Sequence, residues 1–242
     1  MFSTIWHLFF FDPIYNGLIF FIDTVPKGDV GIAVILIVIV VKAVLFPLSI
    51  KAAKTQKVIK EIEPQIKEIK KNITDSQEQA KAIMLLYKTS GINPFSSIIL
   101  MFIQIPIIFA LYFSVARGGG VMLPAINIDI LYSFIPQPET ISMLFLGIID
   151  ITQKNLPLAI LAGVLQFIHG YLAFPALPPK EKDAKPSMKD DFARSMQIQM
   201  KYMMPVIIGV FAYTISATLG LYFVVSSIAA IIQELLIRKH KV

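Results

Sequence analysis

The sequence predicts an all-α polytopic membrane protein: five transmembrane helices with a cytoplasmic helical hairpin between the first two. Three observations lead there. The chain is 56% hydrophobic with mean hydropathy +0.71, too apolar for a soluble domain. Uncharged stretches of about 20 residues recur, the length a helix needs to cross a hydrocarbon core about 30 Å thick. Basic residues gather in alternate connecting segments, which is how helix orientation is set in a bilayer. The apolar runs are continuous rather than alternating, which excludes a transmembrane barrel. Cysteine is absent, so disulfides, thiolate metal sites and a cysteine-borne lipid anchor are excluded. The net charge of +6 reports loop orientation in such a chain and does not point to DNA as a partner.

Residues 1–29 read as an extracytoplasmic, interfacial N-terminal segment. "MFSTIWHLFFFDPIYNGLIFFIDTVP" has no basic leading region, and Asp12-Pro13 is expected to cut its apolar stretch in two, which makes a poor secretory signal. Trp6, Phe9 to Phe11, Tyr15, Phe20 and Phe21 are the aromatic residues that favour a membrane surface. An extra spanning helix is the alternative. An Arg-rich transit peptide is absent too, which favours a bacterial plasma membrane over an organelle.

The spans are 30–50, 95–116, 156–173, 203–216 and 217–236. The last two form one apolar run, which as a single helix would be about 50 Å long at 1.5 Å per residue. Charge decides for a split at "TISATLG". Residues 51–94 carry nine Lys and five acids, residues 174–202 six basic residues and four acids, and the tail 237–242 three more basic residues. Residues 117–155 carry two basic residues against three acids, and residues 1–29 one against three. The positive-inside rule puts the basic loops 51–94 and 174–202 and the tail in the cytoplasm, and leaves the N-terminus and the 117–155 loop outside. Only five spans satisfy all of these. Span four is then only about 21 Å long, so local thinning of the bilayer or burial against neighbours is implied.

The 51–94 loop has structure of its own. Ile59, Ile62, Ile66, Ile69 and Ile73 recur at 3,4,3,4 spacing, an a/d seam. Thr74 with Gln77, and Asp75 with Glu78, fit capping boxes that start a second helix, to which Ala80, Ile83 and Tyr87 give an apolar edge. Pro64 should kink or break the first arm. "GINPFSS" ends the hairpin and starts span two, which Pro106 should kink. Residues 175–191, "PALPPKEKDAKPSMKDD", are Pro- and Lys-rich and expected to be mobile. The stretch 141–151 is apolar but too short to cross, and is expected on the outer surface.

Lys42 stands inside the first span, nine residues before Lys51 and so about 13 Å deep. A lysine at mid-span costs about 2.5 to 3.5 kcal/mol on insertion scales. Its stem covers only about half that depth, so snorkelling falls short. Of the 16 acids only Glu234 falls in a span, near the inner edge, which strains a pair. A water-filled cavity, where the charge stays hydrated and open to a ligand, fits best. Gln104 in span two, Gln166 and His169 in span three, and Tyr222, Ser226 and Gln233 on one face of span five are further polar residues at depth. Ordinary interhelical hydrogen bonding accounts for any one of them alone. Together with Lys42 they outline a hydrophilic groove.

No catalytic residues, metal ligands or cofactor motifs are evident. His7, His169 and His240 are scattered, there is no HExxH or Gly-x-Ser-x-Gly, and no two aspartates lie in spans. A small anion-binding transporter or channel, with Lys42 as its site, is the alternative to a non-enzymatic groove protein. Such proteins typically show a spanning carboxylate or paired repeats with broken helices, and five spans cannot divide into equal halves.

Ordered blocks across residues 30–237 carry a resemblance: "VKAVLFPLS", "IEPQIKEIKK", "LYKTSGINP", "IQIPIIFALYF", "MMPVIIGVF" and "LYFVVSSIAAIIQELLI". In this order and spacing the chain resembles the YidC-type membrane protein insertases of the YidC/Oxa/Alb family. The resemblance implies a groove open to cytosol and lipid and closed on the outer side. The family's basic groove residue, usually arginine, falls on Lys42, and a groove-lining glutamine falls on Gln104. A tyrosine pair that touches substrate reads Tyr222-Phe223 here, and the Pro-Ser-Gly hinge before it reads Ser216-Ala217-Thr218 with Gly220 nearby. The implied partners are nascent membrane proteins, the lipid bilayer and, through the basic loops and tail, the ribosome. Action alone or beside the Sec translocon stays open.

Overall fold

The computed structural model describes residues 2–93, 95–117, 120–173 and 198–239. Most of the 174–202 loop, the end of the basic tail and His240 therefore lie outside the described residues. The described chain is mostly helical. Its helices are α1 (Phe2–Trp6), α2 (Asp12–Thr24), α3 (Val30–Glu61), α4 (Glu63–Asn72), α5 (Ser76–Thr89) and α6 (Ser96–Ala116), then α7 (Leu156–Ala173), α8 (Met204–Thr214) and α9 (Ala217–Lys239). Among the described residues, four helical stretches are long and apolar enough to cross a membrane: Ser3–Thr24, Val30–Glu61, Leu156–Ala173 and Ala217–Lys239, with Phe102–Ala116 a shorter apolar helix.

The first of these stretches is the segment the sequence lays in the interface, and it differs from expectation at Asp12-Pro13. The helix is not cut there. A π turn, His7–Phe11, joins α1 to α2, with the Asp12 amide donating to the His7 carbonyl. Pro13 stands in the first turn of α2, where its missing N–H is tolerated. The wider turn ahead of it relieves the clash that a proline ring makes with the carbonyl four residues back.

The chain divides into two compact units, residues 1–42 with 106–236 and residues 43–105 with 237–242. In the first unit the 120–155 loop is tied to three helices. The Tyr15 hydroxyl accepts from the Asn127 amide at 2.8 Å, while Asn16 donates to the Ile130 carbonyl at 2.9 Å and accepts from the Tyr132 amide at 2.6 Å. Buried Asp29 caps α3 through the Ile32 amide at 3.0 Å and accepts from the Leu146 amide at 2.7 Å with its other oxygen. The Ile151 carbonyl accepts from the Thr218 amide at 3.0 Å and its hydroxyl at 2.9 Å, and the Gln153 carbonyl accepts from the Ala217 amide at 2.8 Å. These bonds satisfy amides in the first turn of α9 that no helical carbonyl can reach.

Two glycines allow the loop to approach so closely. At Gly28, φ is +62° and an added Cβ would lie 1.9 Å from the Thr140 carbonyl oxygen. At Gly31 it would lie within 2.7 Å of the Phe145 ring. The loop also corrects the all-α expectation. Within 141–151, Leu144–Phe145 (β1) pairs antiparallel with Ile149–Asp150 (β2). The turn between them has positive φ at Leu146 and Gly147, and that handedness matches the twist of a two-stranded ribbon.

α7 and α8 meet through small residues. A Cβ on Gly163 would lie 3.3 Å from the Pro205 carbonyl, and one on Gly209 3.5 Å from that of Ala159. Small side chains let helix backbones pack closely where lipid supplies no hydrophobic drive. Ala159, Ala162, Ala212 and Val224 form the buried cluster beside this contact. α8 ends at Thr214 and α9 begins at Ala217, so the helix is interrupted within the apolar run 203–236. A second π turn, Gln199–Met203, leads into α8.

In the second unit α3 stops at Glu61 and α4 begins at Glu63, with Pro64 in the first turn of α4 and Ile62 off helical geometry at φ −91°, ψ 2°. Proline ends one arm and starts the next. Ile62 and Ile66 are buried, and Ile59, Ile69 and Ile73 half-buried. Asp75 caps α5, accepting from the Gln77 and Glu78 amides at 2.8 Å each. The buried residue of the first turns of α5 is Gln79 rather than Ala80, which is exposed. Gln79 donates to the carbonyls of Ile73, at 3.0 Å, and Lys70, at 3.2 Å. The end of α4 needs donors more than it needs another apolar contact.

Candidate functional site

Lys42 is carried by α3, twelve residues beyond Val30, where it is half-buried. Gln166 and His169 lie ten and thirteen residues beyond the start of α7, and Ser226 and Ser227 nine and ten beyond the start of α9. The shared spacing puts all of them roughly 15 to 20 Å from the helix starts that the 120–155 loop ties together.

Contacts between these helices follow. Ser227 donates to the Gln166 side-chain oxygen at 3.1 Å. Tyr222 is buried, and its hydroxyl is hydrogen-bonded to Ser226. Lys42 and Glu234 both lie within electrostatic reach of half-buried His169. Lys42 of α3 and Glu234 of α9 thus both act electrostatically on His169 of α7. Gln233 is half-buried beside Glu234. Gln104 is half-buried on α6 in the second unit.

Toward the helix starts the character changes to aliphatic. Ile14 of α2, Ile37, Val38 and Val41 of α3, Ile107 and Leu111 of α6 and Tyr222 of α9 line a void of about 10 Å³. That is at the lower limit for a single water, and the surface lining it is apolar, without the polar partners that hold a buried water. Tyr222 belongs to both regions: its ring lines the void and its hydroxyl turns to Ser226.

Ser227, which reaches Gln166, was hidden in the sequence because Ser226 and Ser227 are adjacent and a helix turns them about 100° apart. Asn16, Asp29 and Thr218, which fasten the loop, were equally hidden. Their partners are backbone amides and carbonyls, which any residue supplies. The hairpin residues Ile59, Ile62, Pro64, Ile66 and Ile69 belong to the second unit as described above. Among the described residues no three His, Cys, Asp or Glu side chains gather as metal ligands would.

The sequence profile of the 60Kd inner membrane protein family matches residues 21–242. The chain is 30% identical over 240 residues to the membrane protein insertase YidC of Oceanobacillus iheyensis, covering 97% of this chain and 84% of that one. It is 28% identical over 230 residues to that of Clostridium tetani, covering 95% and 90%. To the longer protein of Shewanella pealeana it is 29% identical over 226 residues, covering 93% of this chain and 36% of the relative. Among solved structures, one titled as an active YidC insertase with its first transmembrane domain resolved superposes with a TM-score of 0.53 at 20% identity. That likeness covers 93% of this chain and less than half, 46%, of the other, and it shows a shared fold. With a family profile spanning nearly its whole length, a multi-pass set of apolar helices and relatives from several bacteria, this chain belongs to the 60Kd inner membrane protein family, the family of the YidC-type insertases.

Proposed function

We propose that this protein is a membrane protein insertase that moves nascent chains from the cytosol into the lipid bilayer through a hydrophilic, lipid-open groove with Lys42 at its centre. The supporting observation is that Lys42 and Glu234 both lie within electrostatic reach of His169, with the Gln166–Ser227 bond on the same two helices α7 and α9, in a chain of this family. Polar and charged groups at mid-depth are costly and are retained where they serve a pathway.

In this reading spans 30–50, 95–116, 156–173, 203–216 and 217–236 cross the plasma membrane with the N-terminus outside and the tail 237–242 in the cytoplasm. The N-terminal helix lies along the outer face. Its midpoint, Tyr15 and Asn16, is bonded to the backbone of the 127–132 loop, whereas the midpoint of a crossing helix would be deep in hydrocarbon. The 51–94 hairpin and the basic 174–202 loop and tail receive the substrate and the ribosome. An acidic outer segment of the substrate is drawn part-way across by Lys42, which shortens its path through hydrocarbon. The apolar span of the substrate then leaves sideways along spans three and five. No covalent bond is made or broken.

The test is a Lys42 series in cells depleted of their own insertase, scored by insertion of a single-span substrate with an acidic outer tail. Lys42→Arg retains insertion. Lys42→Ala and Lys42→Glu lose it, because the attraction is removed or reversed. Equal insertion by all four proteins, parent included, would refute the electrostatic role.

A further inference from the structure

The β1–β2 turn carries apolar side chains where water would favour polar ones. Leu146 is 63% exposed and Ile148 82% exposed. Leu146 also holds φ at +53°, a region that L residues with a Cβ seldom adopt and that Asn or Gly would occupy more readily. An exposed, apolar, left-handed leucine is disfavoured three times over in an aqueous loop.

The turn is held at a fixed level. The Leu146 amide is bonded to Asp29, the cap of α3, and the Phe145 ring lies over Gly31 in its first turn. Just past the other strand, Ile151 is fastened to Thr218 at the start of α9. The tip therefore sits level with the start of the apolar stretch of α3, which in a crossing helix is the boundary between headgroups and hydrocarbon. Residues 141–149 carry no charge. The first acid after them, Asp150, turns its carboxylate back to the Thr152 amide at 2.9 Å and hydroxyl at 2.6 Å. A tip already ordered by these bonds loses little conformational freedom when it enters lipid.

We propose that Leu146 and Ile148 are membrane anchors: the hairpin tip is inserted among the acyl-chain ends nearest the headgroups and fixes the depth of the α3 start. The proposal requires that α3 crosses a bilayer and is independent of the insertase reading.

The experiment uses the full chain in vesicles of phosphatidylcholine with a minority of phosphatidylglycerol. The single tryptophan is removed as Trp6→Phe and a probe is placed as Ile148→Trp, with circular dichroism reporting retention of the helical fold. The expected result is blue-shifted emission, quenched most by lipid brominated near the glycerol end, less by lipid brominated near the chain end, and little by aqueous iodide. Adding Leu146→Asn, which keeps the left-handed turn, should lower bromolipid quenching and raise iodide quenching without lowering the melting temperature in detergent. Strong iodide quenching with weak bromolipid quenching overturns the proposal. So does shielding from both quenchers, which would mean that protein covers the tip. Indifference of the probe to Leu146→Asn would remove Leu146 as an anchor.

Discussion

Asp29 joins a helix to a loop through two oxygens, and its substitution separates the two contributions. In Asp29→Ala the Ile32 amide loses its cap, worth about 0.5 to 2 kcal/mol. The Leu146 amide loses a bond to a charged acceptor, worth about 1.5 to 3 kcal/mol. That amide is part-buried, so water recovers some of the loss, and the expected destabilisation is about 2 to 4 kcal/mol. Asp29→Asn keeps an oxygen for the cap but can present an amide nitrogen to the Leu146 N–H. Asp29→Ser keeps the cap and is too short to reach the loop. Both should fall about 1 kcal/mol short of the alanine loss, which is the value of the cap. The assay is loss of helical signal during denaturant titration in detergent, paired with hydrogen exchange of the Leu146 amide, which should accelerate in all three variants. An alanine variant within about 0.5 kcal/mol of the parent, the scatter of neutral surface changes, would refute the assignment. An unchanged Leu146 exchange rate would refute it separately.

Two further substitutions test the packing in each unit. Gly209→Leu places a side chain against the Ala159 carbonyl and the Gly163 Cα, 3.5 and 3.8 Å from the Cβ position. It should separate α7 from α8 at a cost of about 1 to 3 kcal/mol, read as a lowered melting temperature and faster proteolysis, whereas Gly209→Ala should stay close to the parent. Gln79→Leu removes both donors to the end of α4 and should speed amide exchange throughout the α4–α5 hairpin, a loss of about 1 to 3 kcal/mol. Exchange confined to residues next to Gln79 would show that the two bonds do not hold the arms together.

The parts of the fold legible in the sequence are those written as long-period patterns. The charge-free runs located the apolar helices, the 3,4 spacing of Ile59 to Ile73 located an inward seam, and Pro64 located a break. The polar exceptions at depth were equally visible, because Lys42 or Gln166 in an apolar run has no bland composition around it. Illegible features depend on single backbone groups or on how segments meet. The π turn before Pro13 reads as a cut because the rule for proline in helices assumes α geometry on both sides. The strand pair at 144–150 was hidden because two residues per strand are too few for an alternation to show. Ser227 rather than Ser226 faces Gln166, and that is a property of where α7 lies.

The aliphatic void of about 10 Å³ lined by Ile37, Val38, Leu111 and Tyr222 bears on bioenergetics. A cell membrane stores work as a voltage, about 2.3 kcal/mol for each elementary charge per 100 mV, and every hydrated thread through a protein is a short circuit. An aliphatic lining offers no hydrogen-bond partners to a file of water along which protons could hop. Substitutions that enlarge the void, such as Leu111→Ala, would be felt first as a leak of protons, in a cell whose protein traffic was still intact.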